Sequence, residues 1–288
     1  MKTDGWKAAL FGMAAIFAAV TAGAAEVTDV AAVPQLDAAG QARYSAFLEA
    51  PRHRAFAIAP GGTWGLAIDR PTAAAAAAAA LQSCRKETTQ FCRLYAVDDR
   101  VVFDAEGWAA SWQASPAKEQ NIRVGIELGD SFPDLALSAP DGKPITLADL
   151  RGRVVLLHFW GSWCQFCQKE LPELQQLYSS LAPLHNVAFV LIQARESIEV
   201  SRRWAARRGF TLPLYDSGTL QRSDSTFRLA DGTSIKDRSI ADQFPTTYVL
   251  DPDGKVVFGH PGFVARWLDY VPLIRHLAGS PAQTASAY

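Results

Sequence analysis

The chain has 288 residues, a length at which about two domains are expected. Apolar residues make up 49% of it, enough for a sizeable core. With 28 basic residues against 29 acidic ones the formal net charge is −1, and nothing in that balance points to nucleic acid, which needs a basic face.

The first residues set the expected compartment. Lys2 and Lys7 flank a short polar start, and "AALFGMAAIFAAVTAGAA", Ala8 to Ala25, carries no charge. Ala22, Gly23 and Ala24 offer a small-residue cleavage site, the pattern of a secretory signal over residues 1–25. The alternative is an uncleaved membrane anchor, since the run is near the minimum for a bilayer span. Either way the rest of the chain is expected to be exported, to the periplasm or an equivalent space. Disulfides persist in oxidising compartments, so the four cysteines, Cys84, Cys92, Cys164 and Cys167, are read as pairs. Four cysteines allow three pairings, and the spacing favours Cys84 with Cys92 and Cys164 with Cys167.

Residues 26–104 read as a small α/β unit. A short helix is expected near "AAGQARYSAFLEA". "RAFAIAP" alternates as a strand does, Gly61 and Gly62 mark a turn, and "TWGLAID" is the returning strand. "RPTAAAAAAAALQSCRK" is expected to be helical, with Pro71 in its first turn and alanine as the best helix former. A low-complexity linker is the bland alternative for that alanine run. "CRLYAVDDRVVF" is a further strand. A Cys84–Cys92 disulfide would staple the helix end to that strand, a structural role worth ~2–3 kcal/mol for so short a loop.

The composition then turns polar, and a linker is expected over residues 105–124. A second domain follows over 125–280, with 281–288 as a tail. "RVVLLHFW" is a near-continuous apolar run, as in a strand buried on both faces. "CQFCQKELPELQQLYSSL" is helical, with Leu171, Leu174, Leu177 and Leu181 on one stripe. "NVAFVLIQA" is another buried strand, and "SIEVSRRWAARRG" a helix ending at Gly209. Strand, helix, strand is a parallel unit. "FPTTYVLDPDGKVVFGHPG" reads as two strands joined by a "DPDG" turn, and "VARWLDYVPLIRHLAG" as a closing helix. Parallel strands followed by an antiparallel hairpin, with helices on both faces, make an α/β thioredoxin-like fold.

Over residues 126–279 the chain resembles the TlpA/ResA-like branch of the thioredoxin superfamily. The likeness rests on the "GDSFPD" opening, the W-C-x-x-C turn from strand to helix, the "KELP" that follows it, and the P-T-T before the hairpin. The resemblance implies a thiol:disulfide oxidoreductase, with thiol- or disulfide-containing proteins and an upstream redox partner as its partners and no cofactor. The first unit resembles small secreted bacterial modules only through "RAFAIAP…WG…C…C".

The chemistry follows from where the motif sits. A cysteine at a helix start faces unpaired amides and the positive end of the helix dipole. Thiols of C-x-x-C motifs there titrate from ~3.5 to ~7.5, against ~8.5 for a free cysteine. Cys164 is therefore the expected nucleophile. Cys167, one turn on and more buried, attacks the mixed disulfide and releases the partner. Glu170 stands three residues beyond Cys167, on the same face. A carboxylate there raises the thiol pKa values and accepts the Cys167 proton; the resemblance implies this role, and a solvent-facing glutamate is the alternative. The resemblance also implies a cis Pro245 beside the cysteines, a turn that would expose the Phe244 backbone to pair with an extended substrate segment; Trp163, Phe244, Pro245 and Thr246 are the expected substrate-binding residues, with Trp163 expected to cover the active site. His158 occupies the strand position where thioredoxin has a buried acid; a proton shuttle is weighed against a core histidine. Trp160 is expected to wall the core and Pro172 to kink the active-site helix. The chain departs from many relatives in the dipeptide Gln165–Phe166, where a proline often precedes the second cysteine, so the direction of electron flow stays open.

Two rival chemistries fail on the residues. Structural zinc needs four ligands; one C-x-x-C supplies two, Cys84 and Cys92 belong to another unit, and the five histidines show no paired spacing. A peroxidase of the peroxiredoxin type needs Thr or Ser three residues before its cysteine and Pro seven before, where Gly161 and Leu157 stand. The rival from another class is a non-catalytic binding module whose first domain carries the function. Cytochrome c maturation, copper-centre assembly and general disulfide reduction all suit an exported thiol exchanger.

Overall fold

The computed structural model describes residues 26–110 and 123–279. The expected signal or anchor, the middle of the expected linker and the tail lie outside the described residues. No helix among the described residues is long and apolar enough to cross a membrane.

The first unit begins with α1 (Ala38–Glu49), capped by Asp37, whose carboxylate accepts the Gly40 amide at 2.8 Å. Then come β1 (Ala55–Ile58), β2 (Trp64–Ala67), α2 (Ala73–Glu87), β3 (Arg93–Val97), β4 (Arg100–Val101) and α3 (Ala105–Ala110). The sheet order is β2-β1-β3-β4, antiparallel throughout. The alanine run is helix, but Pro71 lies outside its first turn. Thr72 is the cap and its Oγ1 accepts the Ala75 amide at 3.1 Å; a hydroxyl that satisfies an orphan donor sets the boundary one residue later.

Small side chains let α2 lie close to the sheet. Ala55, Ala57, Ala59 and Ala67 face Ala76, Ala80 and Cys84, and a Cβ at Gly65 would stand 2.1 Å from the Ala80 carbonyl oxygen. Cys84 in the last turn of α2 is bridged to Cys92, just before β3, with Cα atoms 6.1 Å apart. Both are buried. Replacing both cysteines by alanine is expected to lower unfolding free energy by ~2–3 kcal/mol, read as a lower urea midpoint. An unchanged midpoint would show that packing alone holds α2 in place.

The second unit opens with the hairpin β5 (Ala136–Ser138) and β6 (Pro144–Thr146). It continues with β7 (Val154–Trp160), α4 (Gln165–Leu181), β8 (Val187–Gln193), α5 (Ile198–Arg207) and β9 (Leu214–Tyr215). A second hairpin, β10 (Thr226–Arg228) and β11 (Ser234–Lys236), precedes β12 (Thr246–Leu250), β13 (Val256–Pro261) and α6 (Val271–Gly279). The main sheet has the order β13-β12-β7-β8-β9. β7, β8 and β9 run parallel, and β12 runs antiparallel to both β7 and β13.

Two features differ from the reading of the sequence. The helices α4, α5 and α6 all pack into one core on one face of the sheet, around Leu156, Trp160, Leu174, Trp204 and Leu273. Two right-handed crossovers that continue in the same direction place both helices on the same side. The other face is covered by hairpins and short 3-10 turns around Leu137, Leu150, Phe159, Phe227 and Tyr248. The last helix starts at Val271, preceded by a 3-10 turn, Trp267–Tyr270, and a left-handed Arg266. Pro272 suits the first turn of a helix, and the Trp267 amide is held by the Glu173 carboxylate at 3.0 Å.

The first unit shares the helical core of the second. Val33, Leu36, Tyr44, Phe56, Tyr95 and Trp108 belong to the same buried cluster as Trp267, Tyr270 and Ile274. Residues 105–110, expected to open a linker, are helical, and α3 packs on α6.

Candidate active site

Strand β7 runs buried to Trp160 and hands the chain to α4 through Gly161–Cys164. Cys164 is the N-cap of α4, and its Sγ lies 3.1 Å from the Cys167 amide nitrogen. It is bridged to Cys167. Cys164 is 6% exposed and Cys167 fully buried, so a partner reaches the first sulfur. Once reduced, Cys164 has an amide donor and a 17-residue helix behind it, both of which favour thiolate over thiol.

The cis bond Phe244–Pro245 lies opposite. The Phe244 carbonyl oxygen is 3.4 Å from Cys164 Sγ, and the Pro245 carbonyl accepts the Gly262 amide at 2.7 Å. Trp163 and Phe244 meet edge to face, ring centroids 5.4 Å apart, and Trp163 Nε1 donates to the Ala194 carbonyl at 2.9 Å. Thr246 is different: its side chain is buried and donates to the Gln243 carbonyl at 2.6 Å. Its strand is also paired on both sides, Thr246 standing opposite Phe159 of β7 and Pro261 of β13, so Thr246 lies inside the sheet and not on the surface that a partner meets.

Glu170 is buried rather than solvent-facing. Its Oε1 accepts Trp267 Nε1 at 2.8 Å, and Oε2 is buried without a hydrogen bond. Burial raises its pKa to about 8, against the opposing pull of the Trp267 donor and the nearby Val264 amide, with a small further rise from Glu173. A carboxyl that titrates near 8 is matched to a thiol proton, whose ordinary pKa is ~8.5. His158 is fully buried; its Nδ1 is 2.8 Å from Thr247 Oγ1 and its Nε2 has no hydrogen bond. Burial lowers its pKa to about 3, so the ring is neutral. Trp160 is buried and packs on Trp204, centroids 5.7 Å apart. Pro172 sits inside α4.

Sequence reasoning missed two groups. Trp267 reaches Glu170 from 97 residues away, and only its place in an apolar closing segment marked it. Glu196 holds the active-site turn: Oε1 accepts the Ser162 amide at 2.7 Å and Ser201 Oγ at 2.6 Å, and Oε2 accepts Ser162 Oγ at 2.5 Å. No local spacing announces that carboxylate.

The second unit is similar in sequence to known proteins. Residues 128–258 match the model of the AhpC/TSA family. The thioredoxin-like protein YneN of Bacillus subtilis (strain 168) is 31% identical over 144 residues, 50% of this chain and 76% of that protein. The thiol-disulfide oxidoreductase ResA of Geobacillus thermodenitrificans (strain NG80-2) is 30% identical over 134 residues, 46% of this chain and 69% of that protein. A solved secreted thiol-disulfide isomerase from Corynebacterium glutamicum superposes with a TM-score of 0.43 at 20% identity, over 58% of this chain and 98% of that one. Through its second unit the chain belongs to the thioredoxin-like thiol-disulfide oxidoreductases, in the branch that holds ResA and YneN.

Proposed function

We propose that the chain is exported and exchanges disulfides with protein substrates through Cys164 and Cys167. The observation that carries this reading is the seat of Cys164, capping α4 with a small exposed fraction while Cys167 behind it has none. In the reducing direction the Cys164 thiolate attacks a substrate disulfide, and one substrate sulfur leaves and takes a proton from water. Cys167 then gives its proton to the Glu170 carboxylate and attacks Cys164 Sγ. The second substrate sulfur leaves, two electrons have passed to the substrate, and the pair is left as a disulfide for an upstream dithiol to reduce. Trp163, Phe244 and Pro245 form the surface that receives the substrate, with Thr246 anchoring that turn in the sheet.

The reducing direction is supported by Glu170. A strong oxidant of this class owes its potential to a stabilised thiolate; Glu170, one turn from Cys167, opposes a second negative charge there when ionised and supplies no stabilising positive charge when protonated. Keeping cysteines reduced for haem attachment or for a copper centre is the kind of task such a reductant serves. The test is insulin reduction driven by dithiothreitol. Turnover above the buffer rate, lost in Cys164→Ser, is the expected result. A wild-type rate equal to buffer would leave the second unit as a binding module.

A further inference from the structure

The rings around the redox pair each carry a cation. The Arg222 guanidinium lies 4.1 Å from the Trp163 ring centroid. Arg238 and Arg195 lie 5.0 and 5.9 Å from that of Phe244. Lys169 Nζ lies 5.6 Å from that of Phe166, which is 60% exposed. Phe166 is one of the two residues between the cysteines, and the Phe244 carbonyl touches Cys164 Sγ. Three aromatic rings thus border the reactive sulfur, with four cations over them.

The neighbouring carboxylates pair with only one of these cations, Arg195. Asp237 is buried and bound to Arg195 at 2.7 Å. Glu196 is buried and committed to Ser162 and Ser201. Asp224 accepts the amides of Leu220 and Gln221. Asp242 is exposed, and its backbone carbonyl accepts from Arg238. Arg222, Arg238 and Lys169 are exposed and form no ion pair among the described residues. Each lies over a ring face, and Arg238 also donates to the Asp242 carbonyl; none is held by an anion. The chain as a whole is close to neutral, so any attraction for an anion at this site comes from these three cations, whose donors no carboxylate among the described residues occupies.

We propose that this collar selects extended protein segments whose reactive cysteine is flanked by aspartate or glutamate. The inference rests on the thiol-exchange reading and adds the class of partner. A segment laid along Phe244–Pro245 with its sulfur at Cys164 places its neighbouring side chains over Trp163, Phe166 and Phe244. There, acidic groups meet the guanidinium and ammonium groups, and guanidinium is well suited to bind a carboxylate with two parallel hydrogen bonds. Charge of this kind acts mainly on the rate of encounter and fades with salt.

The test uses two peptides, identical except that one cysteine is flanked by glutamates and the other by lysines. Each cysteine is capped as its 2-thiopyridyl disulfide, and the attacking species is the full-length protein with Cys164 and Cys167 reduced and the Cys84–Cys92 bridge intact. Pyridine-2-thione release should be about tenfold faster with the acidic peptide at low ionic strength, and the ratio should shrink toward one as salt is added. Arg222→Gln with Arg238→Gln should reduce the ratio, and Arg222→Glu with Arg238→Glu should invert it. Because each ratio is taken within one variant, a general loss of reactivity does not disguise the result. A wild-type ratio of one, or a ratio untouched by charge reversal, overturns the proposal while thiol exchange stands. If neither peptide reacts, the proposal falls together with the reading on which it rests.

Discussion

Cys167→Ser should accumulate mixed disulfides with partner proteins, and Cys164→Ser should accumulate few. The asymmetry follows from burial and position. Cys164 caps α4 and keeps 6% exposure; Cys167 is fully buried. A partner therefore bonds to Cys164 first. Without the Cys167 thiol nothing inside the protein breaks that bond, and the covalent complex persists until an external thiol arrives. Without Cys164 no sulfur faces the partner. Non-reducing gels after acid quenching, with mass spectrometry of the shifted bands, read the outcome. Equal trapping by the two variants would contradict the assignment of roles.

Glu170→Gln should slow the second half of exchange by ~10²-fold, the lower end of general-base assistance, because water replaces the carboxylate only in part. The same change should lower the macroscopic pKa read from thiolate absorbance. The wild-type carboxylate opposes thiolate formation as it ionises, and the amide does not; the coupled groups yield only macroscopic values. Stability should change as well, and its sign is fixed by linkage. Burial holds the Glu170 pKa at about 8 in the folded chain, above its ordinary value of 4.5. Between those limits the folded state binds the extra proton, so stability declines as pH rises from 4.5 through 8. In Glu170→Gln that decline disappears. His158 acts oppositely: folded at about 3 against an ordinary 6.5, it makes stability rise with pH over that window in wild type and variant alike. Urea midpoints of the oxidised proteins across pH 5 to 9 compare the two. Parallel curves, with unchanged exchange rate and titration, would mean that Glu170 takes no part in the chemistry.

The sheet and its redox turn were legible because their signals are local. A run such as Val154–Trp160 reads as a doubly buried strand from seven consecutive residues, and a cysteine that starts a helix needs only its neighbours to be recognised. The pairing of Cys84 with Cys92 was legible for the same reason, eight residues apart across one helix end. The distribution of helices was not, since the face α5 occupies depends on the direction in which β9 joins the sheet. The hairpin β10–β11 was hidden in a polar stretch whose only fully inward side chain is Phe227. The surroundings of Glu170 were out of reach for a different reason. Trp267 and Val264 come from the far end of the chain, and a 3-10 turn replaces the helix that the apolar pattern implies. The cations over Trp163 and Phe244 likewise arrive from three separate loops.

Equilibration of the full-length protein in glutathione buffers of graded potential, followed by acid quenching, alkylation and peptide mass spectrometry, tests the central claim most directly. The account predicts that Cys164 and Cys167 are alkylated together through a single two-electron transition. Cys84 and Cys92 should remain bridged throughout it, buried in the alanine-lined interface of α2 with its sheet. Contradiction would come from a Cys164–Cys167 pair that resists reduction across the series while Cys84 and Cys92 open, or from both pairs opening at one potential.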